Sequence, residues 1–312
     1  DTLNECAHHL TPHTDQPLLD LLYGPAQHHL NQTRYAQIAI VSIQVALVRY
    51  LNHLGIHPHT VIGHSIGELT AAWTAGVLTL PDLLHLTAQR GHHMNNQPQT
   101  GTMAVIHADT PTTHTTITPY PDIEIAAYNT PTNHTLAGPT TTLTTLCNTT
   151  PHHTQQLNVS HAFHSAAMNG AITPFTHTLN HTTLNPPTLP FLSTTTGTWH
   201  TPETTTNPTT WANAIRQPVL FHQALTHLPD TPTHFWEIGP HPALTPLART
   251  NLPNPHHHWH TTLRRHHNDQ QQLHTHLTNH HNTGNTTINW TNHHQHKHHH
   301  HTTIPTYPFN RQ

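Results

Sequence analysis

Thr60-Val61-Ile62-Gly63-His64-Ser65-Ile66-Gly67-Glu68-Leu69 decides the fold. Three strand-forming residues run into a glycine, and Leu69, Ala71, Ala72 and Trp73 beyond it have helical spacing. The five residues from Gly63 to Gly67 fit G-x-S-x-G, a turn that lifts its serine out of the chain path between a strand and a helix. Such a turn places Ser65 beside the N–H groups and positive end of the following helix, where a nucleophile and a developing oxyanion are both favoured. Upstream, Ile38, Ile40, Val41, Val45, Leu47, Val48 and Leu51 predict a buried helix over 37–54, stopped by Gly55. Downstream, Pro81 opens a third helix to about Met94. Helix, strand, sharp turn and helix in this order are α/β organisation.

From Gly101 to Ser160 the texture changes. Short β-like runs at Met103–Ile106, Ile123–Ala127, His134–Ala137 and Gln155–Val159 alternate with weakly helical stretches, the later one at Thr140–Cys147. The order βαββαβ predicts an inserted ferredoxin-like unit. Strand candidates then resume at Leu189–Ser193 and His234–Ile238. The expected division is a large subdomain over 1–100, a small ferredoxin-like subdomain over 101–165, the rest of the large subdomain over 166–255, and a His-rich linker over 256–312.

Composition excludes several function classes. Charged residues are only 7% of the 312, and the formal net charge is −4, so no basic nucleic-acid footprint exists. No stretch approaches the roughly 20 apolar residues of a membrane span. Two cysteines, Cys6 and Cys147, cannot build a disulfide scaffold, which points to the cytoplasm. The 43 histidines, with abundant Thr, Asn and Pro, share codons rich in A and C, and read mainly as surface drift. A metal store on His256-His257-His258 or His296-Lys297-His298-His299-His300-His301 is the alternative, but neither tract has zinc-site punctuation, so no metal site is expected.

With 43 histidines, composition cannot say which one serves Ser65. Gly63-His64-Ser65-Ile66-Gly67-Glu68, Gln89-Arg90-Gly91-His92-His93-Met94 and Ser160-His161-Ala162-Phe163-His164-Ser165 resemble the acyltransferase domain of modular polyketide synthases, akin to malonyl-CoA:acyl-carrier-protein transacylase. Ala126-Ala127-Tyr128-Asn129, Trp211 with Arg216-Gln217-Pro218-Val219-Leu220-Phe221, and Glu237-Ile238-Gly239-Pro240 extend the likeness. The closing Pro305-Thr306-Tyr307-Pro308-Phe309-Asn310-Arg311-Gln312 is similar to the linker after such domains. The resemblance implies a hydrolase-like large subdomain and a dyad of Ser65 as nucleophile and His164 as base, the imidazole held by a backbone carbonyl near Ala214–Gln217. It implies Ile66 N–H as an oxyanion donor, Arg90 as the grip on a substrate carboxylate, and Asn129, His64, His161, Phe163 and Met94 around the substrate. It further implies malonyl-CoA as substrate, no cofactor held by the domain, a phosphopantetheine arm on a partner acyl carrier protein, and ketosynthase and linker domains in the same synthase.

A serine hydrolase is the rival reading; it would want an acid between Ser65 and His164, where Asp82, Asp109 and Asp122 stand. A methylmalonyl-specific acyltransferase is the second rival. Against it, Ile66 stands where methylmalonyl domains tend to have Gln, and His161-Ala162-Phe163-His164 where they tend to have Tyr-Ala-Ser-His. Gln32-Thr33-Arg34-Tyr35-Ala36-Gln37 also resembles the malonyl pattern. The family's opening strand with Gly-Gln-Gly-x-Gln is absent from the sequence, and with it one oxyanion donor. The expectation is a fragment that is aggregation-prone and nearly inactive alone.

Overall fold

In the computed structural model, which describes residues 1–284 and 287–294, the long helix α3 (Thr33–His53) runs through the main core. It is preceded by the short helices α1 (Thr2–Leu10) and α2 (Leu18–Tyr23). Ile38, Val41, Val45 and Val48 recur at helical spacing, and all four are buried. Its end is a Schellman turn: Ile56 N–H donates to Leu51 O, Gly55 N–H donates to Asn52 O, and Gly55 takes φ +82°. The expected strand, turn and helix follow as β1 (Val61–Ile62) and α4 (Gly67–Thr74), then α5 (Leu80–Asn95), whose first turn is capped by Thr79 accepting from Asp82 N–H. Packing of α3 against α5 buries Leu83, Leu84 and Leu86 completely.

The small unit is β2 (Gly101–Ile106), α6 (Thr110–Ile117), β3 (Glu124–Thr130), β4 (Asn133–Pro139), α7 (Thr140–Thr149) and β5 (Thr154–Gln156). Its four strands pair antiparallel in the order β3-β4-β2-β5, the ferredoxin-like arrangement. Ala104, Ile106, Ile125, Leu136, Leu143 and Leu146 form a core of its own.

The chain then returns through α8 (Asn169–Asn180) to β6 (Phe191–Leu192), which lies parallel to β1 with Val61 opposite Phe191. Next come α9 (Pro202–Thr205), α10 (Pro208–Arg216), α11 (Phe221–Leu225), β7 (His234–Glu237), α12 (Thr245–Asn251), β8 (His258–Thr261), α13 (Asp269–Asn282) and α14 (Trp290–His294). The architecture is α/β, with the large hydrolase-like part and the small ferredoxin-like part joined where Tyr128 N–H donates to Val219 O and Val219 N–H to Ala126 O. No helix among the described residues is long and apolar enough to cross a membrane.

One reading needs correction. The stretch from 256, expected as linker, supplies β8, which pairs parallel with β7 in the register His234 to His258 and Trp236 to His260, and α13 packs on it. Some of the histidines, read mainly as surface drift, are interior: His134 and His161 are 0% exposed, and His260 and His280 are 3% exposed. The tract at 296–301 and the closing 305–312 lie outside the described residues.

Candidate active site

Ser65 sits on the turn between β1 and α4 with φ +52°, a left-handed conformation that costs a non-glycine residue about 1–3 kcal/mol. Gly63 allows the turn to close, because a Cβ there would stand 2.3 Å from Glu68 N and 2.4 Å from the Gly67 carbonyl carbon. Gly67, the other glycine of the motif, has open space where its Cβ would be, so sterics do not demand it. Glu68 anchors the turn from below: its buried carboxylate accepts from the backbone N–H of Thr194 and Thr195, just after β6.

His164, between β5 and α8, also has positive φ, +55°. The two strained residues meet, with Ser65 Oγ 2.7 Å from His164 Nε2. On the far side of the ring, Nδ1 is 2.9 Å from Gln217 O. A carbonyl can only accept, so Nδ1 carries the proton and Nε2 offers its lone pair to the serine hydroxyl. The imidazole is thus oriented by a backbone carbonyl and not by a carboxylate. Of the acids a hydrolase triad would recruit, Asp82 is bonded to Thr79, Asp109 caps α6 at Thr112, and Asp122 is exposed. Gln217 is held in turn by its neighbour: Arg216 pairs with Glu124 at 2.7 Å, and Glu124 also accepts from Ala166 N–H two residues after His164.

Arg90 on α5 is 3% exposed. It donates to Gln37 Oε1 at 2.6 Å and, more weakly, to Ser65 Oγ at 3.4 Å. No carboxylate pairs with it among the described residues. Burial pulls its guanidinium down to about 10, still far above neutral, so it stays charged. Gln37, buried on α3, fixes the fork by donating its own amide to Thr33 Oγ1 at 2.8 Å and to the Met94 sulfur at 3.5 Å. Gln37 is the residue that sequence reasoning did not place in the site, although a glutamine on the buried face of an otherwise apolar helix was an available signal. Within the expected stretch Ala214–Gln217 it is the Gln217 carbonyl that holds the ring, a choice that residue type does not mark.

The remaining candidates divide. His64 Nε2 is 3.1 Å from Asn129 Oδ1, linking the serine turn to β3 of the small unit, and its ring meets Phe221 edge-on. Ile66 N–H, at the start of α4, has no acceptor among the described residues, as an oxyanion donor requires. Phe163 packs between the main core and the sheet of the small unit. Met94 and His161 make contacts within the protein. Met94 is buried behind Gln37. His161 is wholly buried with one ring nitrogen on Ser160 Oγ and the other on Gln97 O, so it ties its loop to the end of α5.

Burial pushes His164 down to about 3, the Arg90 charge adds to the effect, the Gln217 carbonyl opposes it, and His64 adds slightly. His64 and His134 are also lowered, in both cases chiefly by burial. His164 stays neutral in the folded chain between pH 7.5 and 5.5 while its unfolded counterpart charges near pH 6.5. Below that value the unfolded state takes up a proton that the native state refuses, so stability falls with falling pH, His164 steepening the loss by about 1.4 kcal/mol per pH unit and the lowered His64 and His134 acting in the same direction. The net charge, −4 with histidines neutral and bounded by +39 with all 43 charged, climbs as histidines take up protons, and self-repulsion acts in the same direction. The melting temperature is therefore expected to drop between pH 7.5 and 5.5; a flat profile in a thermal scan refutes this.

A hydroxyl whose proton is aimed at a neutral imidazole, an unpartnered N–H at a helix start and a buried unpaired cation together suit acyl transfer from an activated ester or thioester to a second nucleophile. The comparisons agree. Residues 1–288 match the family model for the acyl transferase domain. The spectinabilin polyketide synthase system protein NorB of Streptomyces orinoci is 34% identical over 265 residues, 81% of this chain and 12% of that protein. A PKS-NRPS hybrid synthetase, acdB, of Aspergillus candidus is 35% identical over 263 residues, 81% of this chain and 10% of that protein. The chain thus spans about a tenth of the length of these relatives. Among solved structures, the acyltransferase domain from the second module of the salinomycin polyketide synthase superposes with a TM-score of 0.87 at 28% identity, covering 99% of this chain and 72% of that one. The acyltransferase domain of PpsC from Mycobacterium tuberculosis gives 0.77 at 29% identity, covering 85% and 83%. With the dyad, its carbonyl-held imidazole and the match over nearly all of its length, the chain belongs to the acyl transferase domain family, as an acyltransferase of the polyketide synthase type.

Proposed function

We propose that this domain loads a malonyl extender unit from malonyl-CoA onto the phosphopantetheine thiol of an acyl carrier protein, in a synthase that also carries a ketosynthase. The observation that carries the reading is Arg90: a buried, permanently charged fork with no carboxylate of its own, directed at Ser65 Oγ. A planar guanidinium matches a carboxylate in two parallel hydrogen bonds, and malonyl-CoA presents one beside its thioester.

In the first half-reaction Ser65 Oγ attacks the thioester carbon as its proton passes to His164 Nε2. The oxyanion forms at Ile66 N–H. On collapse the carbon–sulfur bond breaks and His164 returns the proton to the leaving CoA sulfur. In the second, the carrier thiol gives its proton to His164, attacks the Ser65 ester and leaves with the malonyl group, while Ser65 regains its hydrogen. Bound malonyl carboxylate neutralises Arg90 and so lifts one of the two main causes that depress His164; the substrate raises the basicity of its own catalyst. The test is malonyl labelling of Ser65 without carrier protein. A long-lived ester that discharges on adding carrier thiol fits transfer, whereas rapid loss to water fits the hydrolase.

Phe163 adjoins His164 and fills space that a C2 methyl would need. One methyl in an apolar pocket is worth roughly 1–3 kcal/mol, so a preference for malonyl- over methylmalonyl-CoA of about 10–200-fold is expected. Phe163→Ser should narrow it. Competition assays reading both acyl-enzymes by intact mass measure the ratio; equal specificity constants in the unaltered domain would defeat the malonyl assignment.

A further inference from the structure

We propose that His234, His260 and His280 form a binding site for a divalent transition metal of the zinc class, stapling α13 to the β7–β8 sheet. The three come from three separate elements: His234 opens β7, His260 lies on β8, and His280 is near the end of α13. Each offers a ring nitrogen within 4.8 Å of the other two. Imidazole nitrogens are the donors zinc favours, at about 2.0–2.1 Å. A tetrahedral ion at that distance sets its ligand nitrogens roughly 3.3–3.4 Å apart. Here His234 Nδ1 is 3.1 Å from His260 Nε2 and 3.1 Å from His280 Nδ1.

Hydrogen bonding alone does not account for this convergence. A neutral imidazole nitrogen has either one N–H or one in-plane lone pair. His234 Nδ1 can therefore make one good hydrogen bond, yet it faces two ring nitrogens at the same short distance. A cation accepting one lone pair from each ring removes the conflict. The surroundings hold the rings in place. Trp236 stacks on His260 at 4.5 Å, His258 stacks on His234 at 4.6 Å, and the fully buried Leu277 lies one turn before His280. His260 and His280 are each 3% exposed, unlike the solvated tracts by which a histidine-rich chain binds metal diffusely. The cluster shares no hydrogen bond with Ser65, His164 or Arg90, so it is a structural site distinct from the catalytic one. It is also invisible to a search for histidine runs, since its members are 26 and 20 residues apart.

The test uses the full chain, stripped with chelator and titrated with Co2+. Four-coordinate Co2+ absorbs visible light far more intensely than the six-coordinate ion that surface histidines bind. Intense bands saturating near one equivalent and displaced by one equivalent of Zn2+ are expected, with a rise in melting temperature of about 5 °C at a hundredfold excess of free Zn2+ over its dissociation constant. His234→Gln, at a half-buried position, should lose both signals while keeping a cooperative metal-free melt; His280→Gln provides a second removal. Replacing His296, His298, His299, His300 and His301 by Gln should leave both signals intact. Weak bands that never saturate and are unchanged in His234→Gln, or signals that vanish with the 296–301 replacement, overturn the proposal.

Discussion

Ser65→Ala is expected to abolish the covalent acyl-enzyme altogether, and His164→Ala to slow its formation by about 10²–10⁴-fold, the usual contribution of a positioned base. The asymmetry follows from the geometry. In the proposed mechanism Ser65 Oγ is the atom that is acylated. His164 only removes its proton across 2.7 Å, and the unpartnered Ile66 N–H remains to receive the oxyanion in the histidine variant. Because His164 sits at about 3, its unprotonated form dominates throughout pH 5–8. The second-order rate of acylation at low malonyl-CoA, which reports the free enzyme, should show no acid limb from this group in that range. Intact-mass measurement of the malonyl adduct in a quenched time course reads all three expectations. An adduct persisting in Ser65→Ala, or full-rate labelling in His164→Ala, would mean that another nucleophile or another base does the work.

The serine turn and the layered fold were legible from local pattern, whereas His164 came only from the family resemblance. Val61 and Ile62 before Gly63, helical spacing after it, and the alternation of four short runs within 101–160 each report a structure that the nearby chain determines. What stayed hidden depends on partners far away in sequence. His164 needs the carbonyl of Gln217, and any residue type could supply a carbonyl. His161 reads as part of the substrate motif, but its position is decided by Gln97 O, 64 residues earlier. The β7–β8 pairing was obscured by composition: His234-Phe235-Trp236-Glu237 and His258-Trp259-His260-Thr261 place histidines where an apolar count expects Val or Ile, so β8 read as polar linker. Those histidines stack against each other and on Trp236 instead of facing water, which hydropathy cannot anticipate.

Arg90→Met is expected to cost malonyl loading about 30–1000-fold in kcat/KM while leaving the domain as stable as before, or more so. The first half rests on truncating one member of a buried ion pair, a loss of about 2–4 kcal/mol when the substrate carboxylate is left without its partner. The second half rests on the resting state. With no acyl group bound, Arg90 is a desolvated cation whose acceptors among the described residues are the Gln37 oxygen and the Ser65 hydroxyl. Replacing such a charge with an apolar side chain of similar length is commonly neutral or stabilising; the Gln37 carbonyl left unsatisfied sets the limit of the gain, at about 1–3 kcal/mol of penalty. Acetyl-CoA, which has no carboxylate, should lose nothing in the variant and could gain, because removing the Arg90 charge also lets His164 rise from about 3 toward its ordinary range and become a stronger base. The preference for malonyl over acetyl should therefore collapse from both sides. Loading rates for the two thioesters, with melting temperatures of both proteins, measure this. If malonyl loading survives in a well-folded Arg90→Met domain, the carboxylate is bound elsewhere, and the malonyl assignment loses its principal support.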